Sequence, residues 1–198
     1  MSTIDTLLTR ASVSDLTDPA PDGGELETIL QAGLRAPDHG RLRPWRFVLI
    51  RGDARRAWAE TIVAALLARE PDAPEPVIAK QRTRVLNAPL IIALGVKLRL
   101  GHKIPEIEQM LSVGAAAMNM LNAAHALGYG AVWLTGAHAF DPLVVQALGL
   151  EGTDKLAGFL FVGTPKSSPL ASRRPELADH VVEWTGAPPS IASPVLAG

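Results

Sequence analysis

Apolar positions recur along the chain in two rhythms, one near every third or fourth residue and one unbroken, and together they divide it into helices and strands. Leu26, Ile29, Leu30, Gly33 and Leu34 share one helical face behind Asp22-Gly-Gly-Glu25, which has the form of a capping box. The helix must stop at Pro37, and Ala36 is turned out of helical geometry by the proline after it. An apolar strand then begins at Trp45 and runs through Phe47, Val48, Leu49 and Ile50. Between them lies a polar turn with Asp38, His39, Arg41 and Arg43, the kind of loop in which a rigid frame holds binding groups.

An Ala-rich helix is expected from Asp53 to Glu70, with Trp58, Ile62, Ala65 and Leu66 inward. After Pro71, Pro74 and Pro76 a second helix runs from Val77 to Leu86, with Lys80, Arg82 and Arg84 in solvent. This pair suits a flap over a pocket and a surface excursion equally. Leu90 to Leu94 is continuously apolar, as in a central strand covered on both faces. The longest pattern spans Ile104 to Leu127, with Pro105, Glu106 and Glu108 favouring its first turn. Two apolar stripes run along it, Ile107, Leu111, Gly114, Met118, Leu121 and Met110, Val113, Ala117, Met120, Ala124. This helix is therefore expected to be largely buried, its cover coming from this chain or from a second subunit.

Gly128 takes the position just past that helix, a strand from Ala131 to Leu134 ends in Thr135-Gly136, Pro142 opens a short helix, and Leu156 to Val162 forms a last strand. At the other end, Ile4, Leu7 and Leu8 mark a short helix ahead of Thr9-Arg10-Ala11-Ser12. From about residue 165 to 198 prolines dominate and the chain reads as an arm, with Arg173, Arg174 and the docking groups Val181, Val182 and Trp184.

A length of 198 residues and 47% hydrophobic content fit one ordered domain, 1–198. A formal net charge of −1 and the lack of a basic stripe argue against a nucleic-acid partner. With no Cys, disulfides, thiolate metal sites and a Cys nucleophile are excluded. No apolar leader or membrane-length run is present, which points to a cytoplasmic protein without a membrane partner. Gly128-Tyr129-Gly130 is no dinucleotide fingerprint, because helix precedes glycines and strand follows them. Of the five His, only His39 sits among other candidate groups; His102, His125, His138 and His180 read as surface or structural, and no metal site is expected. What remains is a set of anion-binding pieces and apolar walls without a recognisable acid, base or nucleophile. Such a chain binds and orients a cofactor that does the chemistry. Arg10 and Ser12, Arg35 and Arg173 would neutralise a phosphate, while Trp133 to Gly136 and Pro37 to His39 would line a planar ring.

Arg10-Ala11-Ser12-Val13, Arg35-Ala36-Pro37-Asp38-His39, Pro44-Trp45-Arg46-Phe47, His102-Lys103-Ile104-Pro105, Gly128-Tyr129-Gly130-Ala131-Val132-Trp133 and Gly163-Thr164-Pro165 follow one another in order. In this ordered set the sequence resembles the nitroreductase family of FMN proteins, above all its short members. The resemblance implies an α+β fold with a mixed central sheet flanked by helices, a long buried central helix, and a homodimer with FMN at its interface and a C-terminal arm crossing to the partner. It also implies roles. Arg10 and Ser12 would hold phosphate and ribityl oxygens with Ala11 contributing backbone, Arg35 and His39 would contact FMN, Trp133, Leu134 and Thr135 would lie along the flavin, and Arg173 would reach the phosphate. Pro37, Asp38 and Gly136 complete the expected cofactor-binding set.

The implied activity is ping-pong hydride transfer from NAD(P)H to flavin N5 and on to a nitroaromatic, quinone or similar small acceptor. The alternative is a flavin-binding carrier or sensor without significant turnover, motivated by the lack of a recognisable catalytic residue. Two departures stand out. Arg41 and Arg43 replace the Asn and Gln of many relatives, and Ser14 replaces a basic residue. Arg41 and Arg43 are thus expected either beside the reduced flavin or an acidic substrate, or in solvent.

Overall fold

The computed structural model describes residues 2–167 and 174–188. Helix α1 (Thr3–Thr9) opens with a reciprocal capping box, in which Asp5 N donates to Ser2 Oγ and Ser2 N to the Asp5 carboxylate. Helix α2 (Gly23–Gly33) starts after Asp22, but the capping box expected there does not form. Asp22 instead accepts from the Arg51 guanidinium at 2.8 Å, and Glu25 accepts from the Tyr129 hydroxyl at 2.5 Å. Both carboxylates are thereby engaged in charge-assisted bonds away from the helix end.

Five strands make one sheet: β1 (Leu16–Thr17), β2 (Trp45–Arg51), β3 (Leu90–Val96), β4 (Gly130–Leu134) and β5 (Lys155–Pro165). β5 lies between β3 and β4, β2 borders β3, and β1 pairs with the far end of β5. Every pairing among the described strands is antiparallel, which corrects the mixed sheet implied by the resemblance. The connections explain why. Two helices, α3 (Ala54–Arg69) and α4 (Glu75–Leu86), carry the chain out and back, so Arg51 at the end of β2 pairs with Leu90 at the start of β3. One helix, α5 (Glu106–Ala126), crosses from β3 to β4 and leaves them running the same way, but β5 is inserted between them.

All seven residues of β3 are buried, as expected of a central strand. Its alternate side chains serve two cores. Leu90, Ile92, Leu94 and Val96 pack with Val113, Ala117 and Met120 of α5 and with Leu26 and Ile29 of α2. Ile91 and Ala93 pack on the other side with Trp58, Ile62 and Ala65 of α3, Val85 of α4, and Val144 of the short helix α6 (Pro142–Ala147). At Gly33 a side-chain carbon would lie 2.9 Å from Met120, so α2 and α5 meet almost backbone to side chain.

The two stripes on α5 part company. Val113, Ala117, Met120 and Ala124 are fully buried, whereas Ile107 is 64% and Leu111 63% exposed, and Met118 is exposed as well. Ile4, Leu7 and Leu8 of α1 are also exposed, and α1 packs on α5. The described part of the arm, 174–188, is exposed throughout, so Val181, Val182 and Trp184 do not dock on their own chain. No helix among the described residues is long and apolar enough to cross a membrane.

Candidate functional site

Arg10 caps the C-terminus of α1, its N–H donating to the Thr6 carbonyl at 3.2 Å. Val13 N donates to the Ala131 carbonyl at 3.0 Å, which ties the Arg10-Ala11-Ser12 loop to β4. Ser12 is exposed and Ala11 half-buried. The Nε of Arg10 is buried without a hydrogen-bond partner. A buried N–H left without an acceptor costs about 1–3 kcal/mol, and an oxyanion at this point would remove that cost. Arg173, expected to help at the same phosphate, lies outside the described residues; its neighbour Arg174 donates to the Arg10 carbonyl.

The pleat of β4 sends neighbouring side chains to opposite faces. Trp133 faces α5, where a side chain on Gly114 would begin 3.6 Å from its ring, and its Nε1 donates to the Ala157 carbonyl at 3.0 Å. Leu134 faces the α3 and α4 layer. There, Leu134, Thr135 and Gly136 border a cavity of about 220 Å³ with apolar walls that include Trp58, Ile62 and Phe159. A second hollow of about 320 Å³ is lined by Ser14, Asn87 and Val132. The two share Arg84, Leu134 and Phe161 and so form one trough from Ser14 to Gly136. Leu134 lines this trough and Trp133 does not.

Two further residues border the trough. Arg84 is exposed, as expected, borders both hollows and, among the described residues, has no hydrogen bond or ion pair, whereas Arg82 is half-buried and bonded to Glu60. His138 is half-buried in the cavity wall beside Gln81 and Arg69, and Arg69 is ion-paired with buried Asp141. The signal for Arg84 was present in the sequence, since Val77, Gln81, Arg84 and Val85 share one helical face.

The turn after α2 is built by Asp38, whose carboxylate accepts from Leu42 N at 3.2 Å and Arg43 N at 2.7 Å. These bonds hold Gly40, Arg41 and Arg43 at φ +73, +54 and +50. Left-handed geometry at two arginines costs about 1–3 kcal/mol each unless the surroundings impose it. Asp38→Ala is therefore expected to lower stability by about 1–3 kcal/mol in a urea titration, with the loss localised to this turn by hydrogen exchange. His39 Nδ1 meets the Glu108 carboxylate at 2.6 Å, which presses the turn onto the start of α5; Arg35, Pro37, Arg41 and Arg43 are exposed. Thr9, next to Arg10, instead meets His125 near the other end of α5. At a rise of roughly 1.5 Å per residue, these two contacts are about 26 Å apart along the helix. A single chain thus ties the Arg10 to Ser12 loop to β4, the strand that ends at Leu134, and leaves the turn with Arg35, Pro37, Asp38 and His39 at the far end of α5.

Such a frame, an antiparallel sheet between helical layers with a cation-bordered trough at the end of β4, defines an α+β protein suited to a flat ligand that carries an anion. The sequence profile of the Nitroreductase family matches residues 7–164, and the chain belongs to that family. It is 40% identical over 166 residues to YdjA of Escherichia coli (strain K12), named as a candidate NAD(P)H nitroreductase, with 84% of this chain and 90% of that protein covered. Its fold matches a nitroreductase-like family protein from Bacillus cereus with a TM-score of 0.81 at 23% identity, covering 94% of this chain and 97% of the other. It also matches a candidate nitroreductase from Desulfovibrio desulfuricans determined in complex with FMN, with a TM-score of 0.73 at 28% identity, covering 93% and 97%.

Proposed function

We propose that this protein is an FMN-dependent NAD(P)H oxidoreductase of one domain, acting in the cytoplasm as a homodimer on a small acceptor such as a nitroaromatic or a quinone. The observation that carries this reading is the buried Nε of Arg10, without a partner among the described residues, in the loop tied to β4 through Val13, an unmet donor where a phosphate oxygen would be an acceptor. The FMN-bound relative supports it. Arg10, Ala11 and Ser12 would hold the phosphate end, and Leu134, Thr135 and Gly136 the ring end.

Bound there, FMN supplies a two-electron relay between NAD(P)H and the acceptor. The chain's part is to bind, orient and keep water out. Trp58, Ile62 and Phe159 make the ring end apolar, and the Arg84 guanidinium, without an ion pair among the described residues, provides positive charge along it. If donor and acceptor use the same ground in turn, initial-rate plots are parallel; intersecting lines would argue against a single shared site.

The uncovered stripe Ile107, Leu111 and Met118 offers the surface for a second copy. A two-fold axis across α5 sets the start of one helix beside the end of the other. Arg35, Pro37, Asp38 and His39 of the second copy would then approach the Arg10 loop of the first, which one chain cannot achieve alone.

An absorbance spectrum of the purified protein, taken before and after adding FMN and then NADPH under nitrogen, tests the proposal. A flavin band that bleaches on reduction is expected, and rapid bleaching also sets aside the carrier reading. A colourless protein that fails to take up FMN would overturn it. In Arg10→Ala the FMN Kd should rise by about tenfold or more, since a charge-assisted bond is worth about 1.5–3 kcal/mol.

A further inference from the structure

The cavity between α3, α4 and the segment after β4 contains a histidine whose two ring nitrogens are in contrasting states. His138 Nε2 lies 3.2 Å from Oε1 of Gln81. That oxygen can only accept, so Nε2 carries the hydrogen, and an uncharged ring keeps its lone pair on Nδ1. Nδ1 is buried and has no partner. Burial first, and the Arg69 and Arg84 guanidiniums after it, hold this imidazole below the ordinary histidine value, which keeps the ring uncharged at neutral pH. Glu70 also lines the cavity, and Asp141 is taken up by its ion pair with Arg69.

An uncharged ring that donates to one atom of an amide fixes the direction of the other. With Oε1 of Gln81 held by His138, its NH2 group is turned away from the ring, and Gln81 is itself a lining residue. We propose that His138 is a positioning residue, holding the Gln81 amide so that its NH2 group is presented to the cavity as a donor for a ring carbonyl or nitro oxygen of the molecule bound there. This rests on the flavin reading of the trough, and the oxygen belongs either to the flavin ring or to the acceptor.

Two readouts separate those sources. FMN Kd is measured by quenching of flavin fluorescence on titrating the flavin-free protein, and acceptor KM by steady-state rates. His138→Leu and Gln81→Glu should each raise one of these by about tenfold, the loss of one hydrogen bond. The change falls in Kd if the oxygen is the flavin's, and in KM at constant kcat if it is the acceptor's. The double variant should be no worse than either single one, because the two residues act as a unit. His138→Gln, which keeps an N–H donor and does not titrate, should stay within about twofold of wild type.

Proton linkage supplies a second signature. Above about pH 6.5 neither folded nor unfolded chain protonates this histidine. As pH falls below that value the unfolded chain takes the proton first, so stability declines until the lowered folded value is passed. Wild type should therefore lose melting temperature relative to His138→Gln across that window.

Should His138→Leu fail to fold, Gln81→Glu and His138→Gln decide the outcome. Losses that add in the double variant, or a Kd and a KM both within twofold of wild type in Gln81→Glu, would overturn the inference. A wild-type chain that binds no FMN would instead sink the reading of the trough. The 15N chemical shifts of His138 in the flavin-free protein then still judge the contact, with an Nε2–H tautomer expected and an Nδ1–H tautomer fatal to it.

Discussion

Gly158→Ala is expected to cost about 3 kcal/mol or more, a larger loss than most single changes give. Gly158 sits in β5 at φ +121, and a side-chain carbon there would lie 2.6 Å from the Leu134 carbonyl oxygen, 2.8 Å from Trp133 Nε1 and 2.9 Å from Thr135 Cγ2. The first of these is backbone held in a ladder and the second is already bonded to Ala157, so neither can move alone. A single methyl group must push the end of β4 away from β5, and with it the residues that border the trough. Urea denaturation gives the stability, and flavin titration should show weaker binding in whatever fraction still folds. A variant within about 1 kcal/mol of wild type would mean that the strands part more easily than their ladder implies.

Leu111→Asp should convert the proposed homodimer to a monomer. Burying a leucine contributes about 1.5–3 kcal/mol, and two-fold symmetry counts it twice, so the dimer Kd should rise by on the order of 10²–10⁴ before the cost of burying a carboxylate is added. Because Leu111 faces away from its own core, the monomer should keep its fold by circular dichroism. Sedimentation read alongside flavin content is the decisive pair. Loss of both together would tie the cofactor to the interface, whereas an unchanged dimer would move the interface elsewhere.

The sequence disclosed elements wherever a side-chain pattern is long enough to repeat. β3 is legible because seven consecutive apolar residues serve two cores, and α5 because its stripes persist over six turns. It could not disclose β1, whose two residues carry no period, nor the fate of Asp22, since Arg51 reaches it from 29 positions away. Arg10 to Ser12 and Leu134 to Gly136 stand out in the sequence because they end elements and carry groups suited to an anion and a ring. Their separation from Trp133 is set by the pleat, and their distance from His39 by the length of α5. That Arg84 and His138 border one cavity could not be read, because the contact between α4 and the segment after β4 spans 57 positions of sequence.

The trough has walls of two kinds. Its floor is sheet, with Leu134, Phe159 and Phe161 fixed by the ladder between β4 and β5. Its outer wall belongs to α3 and α4, a hairpin that leaves and rejoins the sheet at directly paired residues, Arg51 and Leu90. Lengthening, shortening or replacing that hairpin changes no strand order and no register, and loop closure penalises added length only weakly. Residues 54–86 can therefore vary in length without disturbing the sheet, and only those of them that border the trough, among them Trp58, Ile62, Gln81 and Arg84, tie the hairpin to what the trough holds.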